Sequence, residues 1–188
     1  YIFDLYALLY PILAAILSYS LCDVEYKNYG FRLLFTRPIS KLTIYSSKMV
    51  FLLEINFISF LIGYLAFLLS GFALDKLLPG YEFSSYNVNN LTAFYFSYLF
   101  IALSAVSIMQ YYLSLIFKSF VLPIGFAGFM TIFGVIAQNK DYIYLIPYGT
   151  VWRLNYGFYS GIIDFSKGEY VNIAYVLFFV VISFFVFI

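Results

Sequence analysis

The sequence predicts an all-α integral membrane protein, a polytopic helical bundle, on three observations. Of 188 residues, 64% are hydrophobic and 24% aromatic, with only 10% charged, whereas soluble domains run near half apolar and a quarter charged. Ten basic and nine acidic side chains leave too little polar surface to coat a water-facing particle of this size. Five apolar stretches approach the roughly 20 residues that a helix needs to cross a bilayer, and none alternates over about ten residues as a strand of a membrane barrel would.

The first span covers 1–22. No basic region with a small-residue cleavage site precedes it, so it reads as a mature membrane helix rather than a leader. The second and third spans are expected at 49–72 and 93–117, and the loop between them carries the Pro79-Gly80 turn signal and a polar cluster from Ser84 to Asn90. Asn90-Leu91-Thr92 fits a glycosylation acceptor, which matters only in a eukaryotic secretory pathway. A fourth span, 120–137, follows the third after little more than Lys118, so these two are expected to form a tight hairpin of antiparallel neighbours, with Pro123 near the second helix's start. Residues 142–163 are too polar and glycine-broken to span, yet apolar enough to dip into the outer leaflet as a re-entrant helical hairpin. The fifth span, 170–188, ends within an apolar run, and the chain opens at Tyr1. The expectation from the residues is one transmembrane domain over 1–188 with five spans visible.

Loop charge sets the orientation. Between the first two spans lie Lys27, Arg32, Arg37, Lys41 and Lys48, half of the ten basic residues, and Lys118 falls on the same side by alternation. Short loops rich in Lys and Arg stay inside, which makes 23–48 cytoplasmic. A net charge of +1 gives no basic excess to neutralise a phosphate backbone, so nucleic acid is not an expected partner. With no His and one Cys, the chain lacks the usual general base, the commonest metal ligand and any internal disulfide. Cys22 reads as a small buried or interfacial residue. No catalytic residue and no metal site is expected, and the chain does not read as an enzyme.

The most informative segment is 23–48. Read as a helix over 23–36, it gathers Val24, Phe31, Leu34 and Phe35 on one side and Glu25, Asn28 and Arg32 on another. Asp23 stands four residues before Lys27, a pairing that supports a helix, and Pro38 ends it by forcing Arg37 out of helical geometry. On periodicity alone this is a basic interfacial helix held by anionic headgroups. The order of residues adds more: Asp23, Glu25, Tyr26, Lys27 and Asn28, then Gly30, Arg32-Leu33-Leu34, and Arg37-Pro38-Ile39-Ser40-Lys41 leading through Ser47-Lys48 into a membrane helix. Over these 26 residues the chain resembles the coupling-helix region of ABC transporter permeases of the type V exporter fold, the lantibiotic-immunity and bacitracin-resistance kind. Those permeases run from an acidic residue through Leu-Leu and Pro-(Ile/Val)-(Ser/Thr)-(Arg/Lys) to a Lys at the next helix.

That resemblance implies six spans, the first preceding Tyr1, in a permease subunit paired with a second permease, identical or not, and with ATP-binding cassette ATPase subunits. It implies export of a hydrophobic or amphipathic substrate such as a peptide antibiotic or lipid, from the bacterial cytoplasmic membrane. By the same resemblance Glu25, Tyr29, Phe31, Arg32 and Leu34 would contact the ATPase, and Arg37 and Pro38 would set the exit angle. No Gly-x-x-x-x-Gly-Lys-(Ser/Thr) loop is present, so ATP and Mg would be held by the partner. Within the spans, Glu54 is either half of a structural pair, with Lys118 or Arg32, or a gating group. Asn56 and Gln110 are expected to hydrogen-bond between helices. The aromatic excess fits an interfacial belt or a greasy substrate path. Competing readings are a non-transporting membrane anchor or assembly subunit and a secondary transporter.

Overall fold

The computed structural model describes residues 2–27, 39–78, 89–160 and 166–187. Among them regular structure is entirely helical: α1 (Ile2–Tyr26), α2 (Lys41–Leu77), α3 (Asn89–Ile116), α4 (Val121–Ala137), a 3-10 turn (Asp141–Leu145), α5 (Pro147–Ser160) and α6 (Ser166–Phe187). The sequence supplies the punctuation. Ser40 caps α2, its hydroxyl accepting from the Thr43 amide at 3.1 Å. Pro147 opens α5, where a missing amide proton costs nothing. Pro11 lies inside α1, a position that membrane helices tolerate when neighbours satisfy the freed carbonyl.

Among the described residues four helices, α1, α2, α3 and α6, are long and apolar enough to cross a membrane. α4 has 17 residues, about 26 Å of helix, a little short of a hydrocarbon core of roughly 30 Å. α2, with 37 residues, extends on both sides of the expected 49–72 and reaches about 56 Å. Asp23–Tyr26 continue α1 without a break.

α3 is the axis of the bundle. It packs most extensively against α6 and α1, then against α5 and α2, and buries Ala102, Ser104, Ala105, Val106, Ser107 and Ile108. Small side chains let neighbouring backbones approach closely where lipid supplies no hydrophobic drive between helices. α2 lies at the periphery and turns Phe57, Ile58, Leu61, Ile62 and Leu69 outward.

The tight hairpin expected of α3 and α4 has its short linker but not its packing. α4 touches α3 lightly and lies instead on α1 and α5. The reason is the small-residue face of α4: Ala127 joins a cluster with Ala15 and Tyr148, and Gly134 sits beneath Trp152 and the Tyr148 carbonyl. α5 is a short helix within the bundle, with Tyr148, Val151 and Asn155 buried against the spans.

Candidate functional site

Two groups of polar contacts stand out, and both are built by side chains crossing between helices. The first surrounds the connection from α1 to α2. Tyr26, at the last residue of α1, donates to the Ser114 and Leu115 carbonyls, both at 2.9 Å. These belong to the last turn of α3, whose carbonyls have no partner within their own helix, so Tyr26 caps α3 from outside. Lys48 donates from α2 to the Leu21 carbonyl of α1 at 2.7 Å. Tyr45 donates from α2 to the Val180 carbonyl of α6 at 2.6 Å and meets Ser183 Oγ at 2.6 Å. The two helix ends that bracket 27–40 are thus joined to each other, to α3 and to α6. Asp23 adds local order: it accepts from Tyr19 at 3.2 Å and pairs with Lys27 at 2.5 Å, which holds the Lys27 ammonium above its ordinary range.

Of the expected ATPase contacts, Tyr29, Phe31, Arg32, Leu34, Arg37 and Pro38 lie outside the described residues, and Glu25 is described only as part of α1. Glu54 and Lys118 are both exposed and do not meet, so the intramolecular pair between them is absent: α2 turns Glu54 away from the bundle, and Lys118 lies beyond the end of α3. Sequence reasoning did not find Tyr26, Tyr45 or the bond made by Lys48. Their acceptors are backbone carbonyls, which leave no trace in side-chain pattern.

The second group is a polar seam through the bundle. Tyr10 of α1 donates to Asn56 Oδ1 of α2, and Ser107 of α3 donates to the same oxygen at 3.2 Å. Ser18 of α1 donates to the Ser107 carbonyl at 3.3 Å. One turn along α3, Gln110 donates to the Tyr148 hydroxyl of α5. The seam joins only hydroxyl and amide side chains, Tyr10, Ser18, Asn56, Ser107, Gln110 and Tyr148, and contains no carboxylate or ammonium group. A signal for it existed in the spacing of Ser104, Ser107, Gln110 and Ser114, three or four residues apart within an apolar run. Tyr10→Phe and Asn56→Leu are each expected to lower the stability of the purified protein by about 1–2 kcal/mol. Combined in a double-mutant cycle, they should show a coupling of about 0.6–1.7 kcal/mol, read from denaturation in mixed micelles. A coupling of zero would mean that the bond contributes nothing.

A search of curated proteins and a search of solved structures give no significant match. The profile of one family, described as ABC-2 family transporter protein, matches residues 2–134, from the start of α1 to within α4. The match takes in α1, α2, the segment between them, and the central helix to which both are bonded, and it covers well over half of the chain. The protein therefore belongs to the ABC-2 family of transporter proteins, as the membrane-embedded permease component of a transporter whose kind of partner is an ATPase subunit.

Proposed function

We propose that this permease is an ATP-driven exporter of the type V fold, of the lantibiotic-immunity and bacitracin-resistance kind, which moves a hydrophobic or amphipathic substrate such as a peptide antibiotic or lipid. It works as one of two permease subunits in the bacterial cytoplasmic membrane, identical or not, with 23–48 on the cytoplasmic side. The partner ATPase subunits hold ATP and Mg. Glu25, Tyr29, Phe31, Arg32 and Leu34 face the ATPase, and Arg37 and Pro38 fix the angle at which the chain re-enters the membrane.

The observation that carries this reading is the set of bonds made by Tyr26, Lys48 and Tyr45. A helix that receives motion from an ATPase needs stiff connections to the spans, because coupling passes through discrete packed arrangements. Here both ends of the segment have them. The basic side chains of 23–48 also suit a cytoplasmic face.

The test is purification of the full-length tagged permease in gentle detergent, with mass spectrometry of what accompanies it and an ATPase assay, wild type beside Arg32→Glu. The expected result is a stoichiometric ATPase with the wild type, and its retention lowered about tenfold or more by the charge reversal. A wild-type permease that carries no ATPase would overturn the reading and leave 23–48 as a lipid-surface helix.

A further inference from the structure

The end of α4 shows where the apolar belt of the protein stops. α4 begins beside the last turns of α1, with the Phe120 ring 5.3 Å from that of Tyr19, and runs about 26 Å away from 27–40. It carries no charge from Val121 to Ala137 and turns Leu122, Phe129, Ile132 and Ile136 outward. Gln138, Asn139, Lys140 and Asp141 follow at once, and the exposed Tyr142 and Tyr156 lie at the same end. An apolar helix surface that gives way to polar residues and tyrosines marks a membrane boundary. This end of the bundle therefore stands at headgroup level.

Arg153 of α5 is fixed at that level by three contacts. Its Nη1 donates to the Gln138 carbonyl at 3.3 Å, one of the oxygens that the end of α4 leaves without a partner in its own helix. The guanidinium carbon lies 5.6 Å from the centre of the Tyr144 ring and 5.7 Å from that of Tyr156, within the reach of cation–π attraction. The fold holds both rings in place. Tyr156 is one turn along α5 from Arg153, and the turn that carries Tyr144 is joined to α5 by the Thr150 hydroxyl, 3.4 Å from the Tyr144 carbonyl.

The guanidinium is half-buried, yet no carboxylate among the described residues pairs with it. Of its five N–H donors, the Gln138 carbonyl engages one. A charge partly withdrawn from water calls for a counter-ion, and a planar fork of donors fits the oxygens of a phosphate in pairs. Lys140 and Asp141, next along the chain and both exposed, carry opposite charges and offset one another. The charge beside Gln138 is then that of the guanidinium, which suits a phosphodiester with a single negative charge.

We infer that Arg153 binds the phosphate of a membrane phospholipid, with two of its unengaged N–H groups on two phosphate oxygens. The Gln138 carbonyl and the two tyrosine rings orient the side chain before the ligand arrives, so little freedom is lost on binding. The inference deepens the export reading, because a phosphate-bearing lipid held here sits where α4 meets α5, at the far end of the bundle from the segment assigned to the ATPase. It rests on that reading only for the leaflet, which is the outer one with 23–48 in the cytoplasm.

The experiment is native mass spectrometry of the full-length permease in a neutral detergent, titrated with phosphatidylglycerol or with the diacylglycerol of the same chains. The first phosphatidylglycerol should bind about tenfold more tightly than the diacylglycerol. Arg153→Met should remove most of that preference. Tyr156→Leu should lower it about threefold, whereas Tyr156→Phe, which keeps the ring, should leave it unchanged. Where Arg153→Met fails to fold, Arg153→Lys serves: it keeps the charge, loses the fork and should lower the preference severalfold. Equal binding of the two lipids by the wild type would overturn the proposal. So would an equal loss in Arg153→Met and Lys140→Met, which would mean diffuse surface charge. Displacement of the lipid by millimolar inorganic phosphate would overturn the lipid source in favour of a soluble phosphate. A permease that keeps the preference but retains no ATPase would leave the site standing and remove the export reading.

Discussion

Gly134→Ala and Gly149→Ala should each lower the thermal midpoint of the purified permease by several degrees, whereas Gly125→Ala and Gly128→Ala should leave it unchanged or raise it. All four glycines are helical, three on α4 and Gly149 in the first turn of α5, so propensity alone favours alanine at each by up to about 1 kcal/mol. Packing reverses the sign at two of them. A Cβ on Gly134 would stand 2.8 Å from the Trp152 ring and 3.1 Å from the Tyr148 carbonyl. One on Gly149 would stand 3.0 Å from the Ile143 carbonyl and overlap the Ile143 side chain. A Cβ on Gly125 or Gly128 would meet nothing within 4 Å beyond its chain neighbours and its own helix's backbone. Overpacking of this kind costs about 1–3 kcal/mol, and the Tyr148 and Ile143 carbonyls are backbone and cannot rotate aside. The emission of Trp152, the single tryptophan, gives the unfolding curve, since its ring lies over Gly134. Four equal midpoints would mean that α4 does not cross α5 at Gly134 and that Ile143 does not pack on Gly149.

That crossing marks where the sequence stops being legible. The helical membrane class follows from composition, because 64% apolar and 10% charged residues admit no water-facing particle. The Asp23–Lys27 pair follows from its i,i+4 spacing, and the structure forms it at 2.5 Å. The interhelical partners of Asn56 and Gln110 are Tyr10, Ser107 and Tyr148, which the spacing of polar residues on one helix cannot name. A short linker between α3 and α4 says that the second helix begins nearby. It does not say which neighbour the second helix packs on, and Ala127 and Gly134 take it to α1 and α5. Glu54 reads as a group in search of a cation, yet the rotation of α2 is set by Tyr45, Met49, Leu52 and Asn56, which are buried and leave it outside. The bonds made by Tyr26, Lys48 and Tyr45 end on main-chain oxygens, and every residue in a sequence carries one of those.

Because those bonds link the two ends of 27–40 to α3 and α6, replacing Tyr26 and Tyr45 together by phenylalanine should separate ATP hydrolysis from movement of the membrane helices. The argument is one of stiffness. Tyr26 reaches two carbonyls in the last turn of α3, and Tyr45 reaches Val180 and Ser183 on α6. Without these hydroxyls, the ends of α1 and α2 keep their apolar contacts but lose directional attachment. Each substitution should cost only about 1 kcal/mol of stability, so a folded double variant is expected, and Lys48→Met extends the series by releasing α1 from α2. Spin labels on the exposed residues Leu42, Phe117 and Phe185 report the ends of α2, α3 and α6 in the complex with its ATPase. In the wild type the Leu42–Phe117 and Leu42–Phe185 distances should change between the nucleotide-free state and the ATP–vanadate state. In the double variant the change should fall several-fold while ATP turnover stays within about twofold, since nothing at the ATP site is altered. A parallel loss of turnover and motion would point to an ATPase that no longer docks. Unaltered motion with altered stability would make these hydroxyls structural caps, and would shift the transmission of force to the apolar contacts of Ile44, Met49 and Leu52 with Ile108 and Tyr111 in the same cluster.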